Sequence, residues 1–478
     1  MPTSQRDNGH ARSQLPWIAG NRSLRKEQVH EHNTSSICLV ADRMTQTISV
    51  NLEACLPDLA AARAQRPMGR GSPASVGPKR LRIAVVTPML PVPHDLTRGR
   101  FTYETVRGLA KLADVRVFFQ NMRYPRLPGM KPRSFIHGEV GPDYKIEGLD
   151  VEAFDFPAVP VLSRGLNGLV GSWALGPRVR AFQPDLMLAY WVYPDGNSAL
   201  RVARSLGVPC VIGALGSDIH VRSGLNVFLT RRTLRGADAV VTVSEAMRQA
   251  VIEDYGVTPQ RVHTVVNGFN TAIFGPADQA EARNLLGIDR NDQVVVYVGR
   301  FIEAKGLREL IDASCRVAEL NQRFRLVLIG DGVMKAELME LVQRSGLKDR
   351  VLLPGGLPPK EVARWICASD ILTLPSWSEG YPNVVVEAIA CGRPVVATDV
   401  GGTREIVDAS NGILVQPRNP EELAGALQSA LKRQWNHAGI AAAMRRSWDD
   451  VAADTLKVCT SLVSAISDRT EVTSVART

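Results

Sequence analysis

Residues 375–407 read PSWSEGYPNVVVEAIACGRPVVATDVGGTREIV, and this stretch decides how the rest of the chain is interpreted. A short apolar run precedes it and leads into a loop that carries Glu379. Pro382 then leads into a helical pattern that contains Glu387, and a β-branched run at 394–398 follows. A strand, a polar loop, a helix and a second strand in this order predict one unit of a parallel α/β sheet.

The turn before that helix has the chemistry of an anion site. Pro382 suits a first helical turn, because its missing N–H would have no partner there anyway. Loop amides and the helix start then point at one place, which favours phosphate. Glu379 and Glu387 can bracket a polyhydroxylated ligand by accepting hydrogen bonds from its hydroxyls. A carboxylate pair is also the pattern of a glycoside hydrolase, and two solvated glutamates are a further alternative.

Length and composition describe a large α/β protein with an excess of positive charge. The 478 residues exceed one ordinary hydrophobic core, so two or three domains are expected. The hydrophobic fraction of 45% and the aromatic fraction of 6% are ordinary for a soluble α/β chain. The net charge of +9 indicates an anionic partner, such as a nucleotide or a phospholipid surface. Lysine and arginine form no run of five, which argues against a nucleic-acid-binding arm.

The cysteines show no metal-binding spacing. They occupy positions 38, 55, 210, 315, 367, 391 and 459, without a C-x-x-C pair. Most lie in apolar contexts, so we expect reduced, buried thiols in a cytoplasmic protein, and neither disulfides nor zinc. No uncharged apolar run reaches the roughly 18 residues that cross a bilayer, and residues 1–25 lack the apolar region of a signal peptide. We therefore expect a chain that does not cross a membrane by itself.

The chain divides into a polar extension and a first α/β series. The segment 1–79 carries scattered basic residues and little periodicity. We therefore expect either a disordered N-terminal extension or residues from an upstream translation start that contribute nothing to the fold. Order is predicted to begin at Leu81, with a buried strand at 82–88. The elements that follow are a helix at 101–112 and strands at 114–119, 185–190, 208–214, 239–243 and 262–266. This alternation predicts a first doubly wound domain.

A linker at 275–278 separates this series from a second one. The second series has predicted strands at 293–298, 325–329, 351–356, 370–375, 394–398 and 412–415, and closing helices at 420–434 and 440–464. The pattern predicts two consecutive doubly wound domains that face a central cleft. Arg300 and Lys305 follow the first strand of this series, where two cations suit a diphosphate, although solvation alone would also explain them.

Two surface segments of the first domain are candidates for contacts with other molecules. The loop 124–144 is long and basic, and long loops in compact domains are often functional. The segment 161–182 combines apolar residues with Arg164, Arg178 and Arg180, so it could touch anionic lipid or pack against the domain. Several glycines within it argue against a regular helix.

These residues resemble a known family, the group 1 retaining glycosyltransferases of family 4, which have the GT-B fold. The matching stretches are VGRFIEAKG at 298–306, LIGDG at 328–332, LPS at 374–376, EGYPNVVVEA at 379–388, ACGRPVVA at 390–397 and the double glycine at 401–402. The resemblance covers residues 81–465, more closely in the second half. It implies an α/β GT-B fold with two Rossmann-like, doubly wound domains facing a central cleft. The parts it implies are an acceptor-binding domain at 80–274, a nucleotide-sugar-binding domain at 275–446, a helix at 447–466 that crosses back to the first domain, and a flexible tail at 467–478.

The resemblance implies a role for each matching residue of the second domain. Arg300 and Lys305 would hold the donor diphosphate, and Glu379 would contact the donor sugar. Glu387 would accept hydrogen bonds from the ribose, and Leu353 would lie near the base. The amides directed at sugar and phosphate would come from Gly380, Tyr381, Pro382 and Asn383.

The resemblance is looser in the first domain. Gly99 would occupy the glycine-loop position near phosphate and acceptor. Asp218 resembles the acidic residue of a family stretch near the reaction centre, where Leu215 replaces a frequent His and His220 is shifted. Asn270 stands where the family usually has Asp. The candidate catalytic residues are Glu379, Arg300, Lys305 and Asp218.

The function that the resemblance implies is transfer of a sugar from a UDP- or GDP-sugar to a saccharide or lipid-linked acceptor, in exopolysaccharide or cell-envelope glycan synthesis. No Asp-x-Asp pair occurs, so we expect neither a metal nor another cofactor. We expect a cytoplasmic protein in peripheral contact with the anionic inner face of the plasma membrane, without a nucleic-acid partner. Two alternatives stay open: a sugar-nucleotide epimerase with the same architecture, and a non-catalytic paralogue that binds the nucleotide sugar.

Overall fold

The computed structural model describes residues 80–475 except 94, 96, 124–139, 159–162 and 221–223. The predictions for the segment 1–79 and for most of the loop 124–144 lie outside these ranges. The described residues form two α/β domains, each built on one parallel sheet. The predicted fold class is therefore confirmed.

The first domain has seven strands and six α-helices among its described residues. The strands are β1 (Arg82–Val86), β2 (Asp114–Arg123), β3 (Asp150–Pro157), β4 (Leu186–Tyr190), β5 (Cys210–Ala214), β6 (Ala239–Thr242) and β7 (Val262–Thr264). The helices are α1 (Arg100–Leu112), α2 (Asn167–Phe182), α3 (Asn197–Leu206), α4 (Ser217–His220), α5 (Leu225–Gly236) and α6 (Glu245–Glu253). The strand order is β3-β2-β1-β4-β5-β6-β7, so the order reverses between β1 and β4 and opens a crevice there.

Side chains alternate along the central strands and build a core on each face of this sheet. On β1, Ile83 and Val85 join one apolar cluster, and Ala84 and Val86 join the other. All four are fully buried, as expected for a parallel sheet that helices cover on both sides.

The edge strand β3 is an element that the sequence reading did not predict. It pairs in parallel with β2 from Asp150 to Pro157. Val151 and Phe154 are buried, whereas Asp155 is exposed, as at a sheet edge. The sequence signal for this strand was the mixture of apolar and polar residues over 150–157. The signal was weak because an edge strand needs fewer apolar residues than a central strand.

The second domain repeats the plan with six strands among its described residues. They are β8 (Gln293–Val298), β9 (Phe324–Ile329), β10 (Val351–Gly355), β11 (Ile371–Leu374), β12 (Val395–Thr398) and β13 (Gly412–Val415). The helices are α7 (Gln279–Leu286), α8 (Leu307–Leu320), α9 (Lys335–Arg344), α10 (Pro359–Ala368), α11 (Asn383–Ala390) and α12 (Pro420–Lys432). The strand order is β10-β9-β8-β11-β12-β13, so the order reverses between β8 and β11. One continuous apolar cluster fills this domain.

The chain then continues into α13 (His437–Ala443) and α14 (Trp448–Val475), so the prediction of a single helix at 440–464 is wrong. The reason lies at Ser447. Its amide donates to Oδ2 of Asp450 at 2.8 Å, and the amide of Asp450 donates to the Ser447 hydroxyl at 3.3 Å. This reciprocal arrangement is a capping box, and it starts a new helix.

Helix α14 packs against α1 of the first domain. Lys111 on α1 forms an ion pair of 2.7 Å with Asp449. A Cβ on Gly108 would lie 2.7 Å from the Cβ of Ala452, so the two helices approach closely at a glycine. The helix extends to Val475, into the segment expected to be a flexible tail.

Helix α2 is regular over 16 residues, although its glycines predicted an irregular segment. The reason is its packing on α3. A Cβ on Gly168 would lie 2.3 Å from Oδ1 of Asn197, and one on Gly171 would lie 2.6 Å from Oγ of Ser198. The glycines form the face on which α3 approaches, so close packing offsets their low helix propensity.

The described cysteines carry free thiols. Four of the five are buried, namely Cys210, Cys367, Cys391 and Cys459, and the other two cysteines of the chain lie outside the described ranges. Among the described helices, none combines the length and the apolar character that crossing a bilayer requires.

Candidate functional site

The strand order of the second domain brings two predicted site loops together. Ligands of such sheets bind outside the carboxyl ends of the strands where the order reverses, which here is between β8 and β11. The loop after β8 carries Arg300 and Lys305, and the loop after β11 carries Glu379. Nζ of Lys305 donates a hydrogen bond to Oε1 of Glu379 at 2.5 Å, across 74 positions of sequence. One predicted cation and one predicted acid are therefore in direct contact.

This ion pair is shielded from solvent, with exposed fractions of 18% for the Lys305 side chain and 12% for that of Glu379. The close approach of the two loops depends on Gly306, whose φ is +65°. A Cβ there would lie 2.0 Å from the carbonyl oxygen of Pro375. Because only glycine adopts this conformation without a steric clash, Gly306 allows the loop of Lys305 to approach the loop of Glu379.

Arg300 belongs to the same edge of the sheet, and its side chain is exposed. The hydroxyl of Tyr297, at the end of β8, donates to the carbonyl oxygen of Arg300 at 3.0 Å. Burial raises the pKa of Tyr297, the charge of Glu379 raises it further, and Arg300 opposes the rise. The phenol of Tyr297 therefore lies within electrostatic range of both the Arg300 and the Glu379 side chains.

Glu387 lies one turn inside α11 and is half-buried. Burial raises the pKa of Glu387 to about 8, and the positive charge of Arg100 opposes the rise. Arg100 is the first residue of α1 in the other domain, directly after Gly99. Arg100 was not among the predicted site residues, although its position next to Gly99 could have indicated that it lies near the site. Glu387 is therefore the predicted site residue within reach of a cation of the first domain.

The helix after Glu379 begins later than predicted. Pro382 was expected in the first helical turn, but its ψ of 102° is extended, and α11 begins at Asn383. The carbonyl of Pro382 accepts from the amide of Val385 at 3.0 Å, as the residue before a helix does. The first amides of α11 are therefore those from Asn383 onward.

Residues 379–383, the predicted donor loop, also contact the first domain. A Cβ on Gly380 would lie 2.9 Å from the carbonyl oxygen of Leu215 in the first domain. Oδ1 of Asn383 accepts from Nδ2 of Asn267 at 2.8 Å. Tyr381 packs against apolar clusters of both domains, and burial raises its pKa to about 12. The loop that carries Glu379 is thus held by both domains.

Gly99 lies where the loop after β1 turns into α1. Its φ is +57°, and a Cβ there would lie 2.2 Å from the carbonyl carbon of Met89. Glycine is therefore required by the fold of the loop itself. Arg100 follows and pairs with the buried Glu104 at 2.9 Å, which fixes the start of α1.

Asp218 is fully buried at the start of α4. Its Oδ1 accepts from the amides of Leu215 at 2.9 Å and Gly216 at 2.8 Å. A Cβ on Gly216 would lie 3.6 Å from the Cα of Gly380, so these bonds shape the turn that meets the donor loop. The catalytic role of Asp218 stays a prediction. The side chain of His220 lies outside the described part of the chain.

Leu353 lies on β10 and packs, half-buried, against the core of the second domain. The strand changes register between Leu352 and Gly355. The carbonyl of Gly355 accepts from the amide of Gly330 at 2.9 Å, which ties this strand end to the loop after β9. The place of Leu353 beside a nucleotide base stays a prediction. Within the described ranges, no three His, Cys, Asp or Glu residues are grouped to hold a metal ion, and metal independence also stays a prediction.

Family models match both domains of the chain. Residues 98–268 match a glycosyl transferase 4-like domain, and residues 292–433 match the glycosyl transferases group 1. The putative teichuronic acid biosynthesis glycosyltransferase TuaC of Bacillus subtilis is 27% identical over an alignment of 359 residues, and the match covers 73% of this chain and 88% of that protein. A D-inositol 3-phosphate glycosyltransferase of Frankia alni is 30% identical over an alignment of 293 residues, and the match covers 56% of this chain and 72% of that protein.

A solved structure shares the fold. The crystal structure of HepE from Anabaena in complex with UDP-glucose has a TM-score of 0.58 and 21% sequence identity. The match covers 81% of this chain and 99% of that one. It extends over both doubly wound domains, so the likeness concerns the whole two-domain arrangement.

Proposed function

The chain belongs to the group 1 glycosyltransferases, and we propose on this basis that it transfers a sugar, with retained anomeric configuration, from a nucleotide-diphosphate sugar to a saccharide or lipid-linked acceptor. The observation that carries the proposal is the shielded contact between Lys305 and Glu379 at 2.5 Å. It lies at the strand reversal of the second domain, and the first domain contacts the same loop. That position suits a donor whose reacting bond lies between the domains.

The chemistry follows from the charges. As the bond between the sugar C1 and the β-phosphate oxygen breaks, its electron pair stays on the phosphate, and negative charge develops there. Lys305 and Arg300 compensate that charge without a metal ion. The acceptor hydroxyl attacks from the face that the phosphate leaves, and its proton passes to a phosphate oxygen. The product sugar then keeps the configuration of the donor.

Glu379 exchanges partners in this scheme. In the ligand-free site its carboxylate accepts from Lys305. A bound diphosphate gives Lys305 a second anionic partner, and Glu379 can then also accept from a sugar hydroxyl. Glu387, with its raised pKa, accepts from the ribose hydroxyls in its ionised form. In this scheme Glu379 recognises the transferred sugar and Glu387 recognises the ribose, on opposite sides of the diphosphate.

The donor that we propose is a UDP-sugar, with a GDP-sugar as the alternative. Support comes from the HepE structure, which holds UDP-glucose in the same fold. A thermal-shift screen of UDP-, GDP- and ADP-sugars tests this choice. We expect a UDP-sugar to stabilise the protein, and the change K305A to abolish this stabilisation. Stabilisation by a GDP-sugar alone would mean that the donor carries guanine and not uracil.

The acceptor that we propose is a saccharide or lipid-linked saccharide of a cell-envelope polysaccharide. Support comes from the TuaC relative, whose name refers to teichuronic acid biosynthesis. The test incubates the enzyme and its donor with lipid-linked saccharides, and separately with inositol phosphate, the acceptor that the other relative's name implies. Transfer to the lipid-linked saccharide supports the proposal, and transfer to inositol phosphate alone would contradict it. Isomerised donor without any acceptor would indicate an epimerase, and tight binding without turnover a non-catalytic paralogue.

We also propose peripheral contact with an anionic membrane through the first domain. On or next to α2 and α5, the described part of this domain exposes the large apolar side chains of Leu166, Trp173, Leu225 and Phe228. A Cβ on Gly165 would lie 3.5 Å from Cδ2 of Leu225, so the start of α2 lies next to α5. Exposed arginines flank both helices, at positions 164, 180, 231 and 232. Apolar and basic residues together suit anionic lipid.

Vesicle sedimentation tests this contact. We expect binding to vesicles with about one-third anionic lipid at low salt, and loss of binding at high salt, since the attraction is screened. Trp173→Ala should weaken it, whereas Leu320→Ala, at an exposed apolar side chain of the second domain, should not. Equal sedimentation with neutral and anionic vesicles would contradict the proposal.

A further inference from the structure

A second contact between the domains lies beside the donor loop, at the start of α6. Glu405 of the second domain accepts two hydrogen bonds from backbone amides of the first. Its Oε2 accepts from the amide of Glu245 at 2.9 Å, and its Oε1 accepts from the amide of Ala246 at 2.8 Å. The amides of a first helical turn have no partner within their own helix. One carboxylate therefore caps a helix that belongs to the other domain.

Helix α6 supplies only part of its own cap. The Ser244 hydroxyl accepts from the amide of Met247 at 3.2 Å, which leaves the first two helical amides to Glu405. The carboxylate of Glu245 is engaged elsewhere and accepts from Arg248, Gln249 and Thr264. The partial positive charge at a helix N-terminus favours a carboxylate at this place. Glu405 thus completes the cap across the domain boundary.

Glu405 is also tied to the donor loop on its own side. It ends the short helix Gly401–Glu405. The amide of Gly402 donates to the carbonyl oxygen of Gly380 at 3.1 Å. A Cβ on Gly401, whose φ is +50°, would lie 1.9 Å from the carbonyl oxygen of Glu379. The short helix therefore lies backbone to backbone against the loop that carries Glu379.

We propose that Glu405 is a positioning residue that links the shape of the donor loop to closure of the two domains, by capping α6 when the cleft is closed. The proposal rests on the proposed transfer reaction and adds to it a residue that holds the domains without touching substrate. Closure keeps water away from the bound donor. The contact at Glu405 therefore favours transfer to the acceptor over hydrolysis, and it raises the share of protein that is competent to bind the donor.

Glu405→Ala tests the proposal with two readouts. Hydrogen exchange of the amides of Glu245 and Ala246 should become about fivefold faster or more, since a helix cap is lost. In turnover assays, the donor KM should rise about fivefold, and donor hydrolysis without acceptor should increase. At saturating donor, kcat should change little. Glu405→Gln keeps acceptor capacity and should give an intermediate effect in both assays.

Two control variants separate positioning from stability. Ser244→Ala removes a cap from the same helix but leaves Glu405 in place, so it should lower the melting temperature without raising the donor KM. Glu421→Ala removes an exposed acid that pairs with Arg316 at 2.6 Å inside the second domain, and it should behave like wild type.

Failure of the positioning role and failure of the proposed transfer reaction would give different results. A wild-type protein that transfers no sugar from any donor would end the transfer proposal, while the exchange measurement would still decide on the contact. Wild-type exchange at both amides and a wild-type donor KM in Glu405→Ala would overturn the positioning role. Should Glu405→Ala fail to fold, Glu405→Gln carries the same test.

Discussion

At the residue scale, the ion pair between Lys305 and Glu379 is the contact that the proposed chemistry uses most directly. Removing one partner of a shielded ion pair leaves the other charge without compensation, which makes such pairs sensitive to substitution. In the proposed reaction, the donor diphosphate becomes a second anionic partner of Lys305.

Lys305→Ala should lower kcat for sugar transfer about 100-fold to 1,000-fold, because a cation that compensates the leaving group is lost. Circular dichroism should show an intact fold. The matched control is Lys335→Ala, since Lys335 follows the neighbouring strand β9 and pairs with Asp331 at 2.9 Å on the surface. Initial rates at saturating donor measure the difference. Wild-type turnover in Lys305→Ala would remove the assigned role.

Glu387 predicts a pH dependence of donor binding. Because burial raises its pKa to about 8, the carboxyl is largely protonated at pH 7. Ribose hydroxyls donate to the ionised form, so the donor must displace a proton at low pH. Donor affinity should rise from about pH 6 to pH 8 and then level off. Calorimetric titrations across this range measure it.

The change Glu387→Gln provides the control for that profile. It should flatten the dependence on pH, because the residue no longer titrates. It should also raise the melting temperature at pH 8 relative to wild type. The folded pKa lies above the usual value of 4.5, so the wild-type fold loses stability as pH rises from about 4.5 to 8. An unchanged profile in the variant would assign the titration to another group.

Sequence reasoning could place Lys305 and Glu379 together, but not Arg100 or Glu405. The first pair follows from a general property of parallel sheets, whose strand-end loops meet at one edge. The contacts of Arg100 and Glu405 depend on how two domains are placed against each other. Glu405 is 160 positions from the amide of Glu245 that it caps, and no local pattern encodes that distance.

At the element scale, Gly306 is the residue on which the approach of two loops depends. Gly306→Ala should destabilise the fold by more than about 2 kcal/mol, because the positive φ and the clash with Pro375 both oppose Cβ. Gly346 has a similar φ of +68°, with no atom within 4 Å of a Cβ. Gly346→Ala should therefore cost only about 1 kcal/mol. Urea unfolding measures both, and equal losses would show that the loop contact is unimportant.

Two glycines of α2 give predictions of different size. Gly171→Ala should destabilise the protein, since its Cβ would lie 2.6 Å from Oγ of Ser198. Gly176→Ala should change stability by less than about 0.5 kcal/mol, because its nearest non-neighbouring atom would be in Val202 at 3.9 Å, and the helix propensity of alanine is offset by its contact with the ring of Pro177. Thermal unfolding distinguishes the two. Destabilisation by both changes would mean that the whole helix face is closely packed.

Most elements could be predicted from apolar runs and turn residues, and the exceptions have physical reasons. Strand β3 lies at a sheet edge, where fewer apolar residues are needed. The break before α14 was encoded in Ser447 and Asp450, whose spacing is that of a capping box. The apolar pattern continues through the break and concealed it, whereas the family resemblance implied a helix that starts at 447. The glycines of α2 were interpreted by helix propensity alone, whereas a neighbouring helix decided their effect.

At the scale of the whole molecule, the contacts between the domains converge on the donor loop. Gly380, Tyr381 and Asn383 contact the first domain directly, and Glu405 does so beside them. In the proposed reaction, a donor that binds this loop would therefore act on both domains at once.

We propose above all that Lys305 and Glu379 bind the donor between the two domains. A crystal structure with the nucleotide sugar that gives the largest thermal shift tests it most directly. We predict the β-phosphate within hydrogen-bonding distance of Lys305 Nζ and a sugar hydroxyl donating to Glu379. A diphosphate bound away from both side chains would contradict the account.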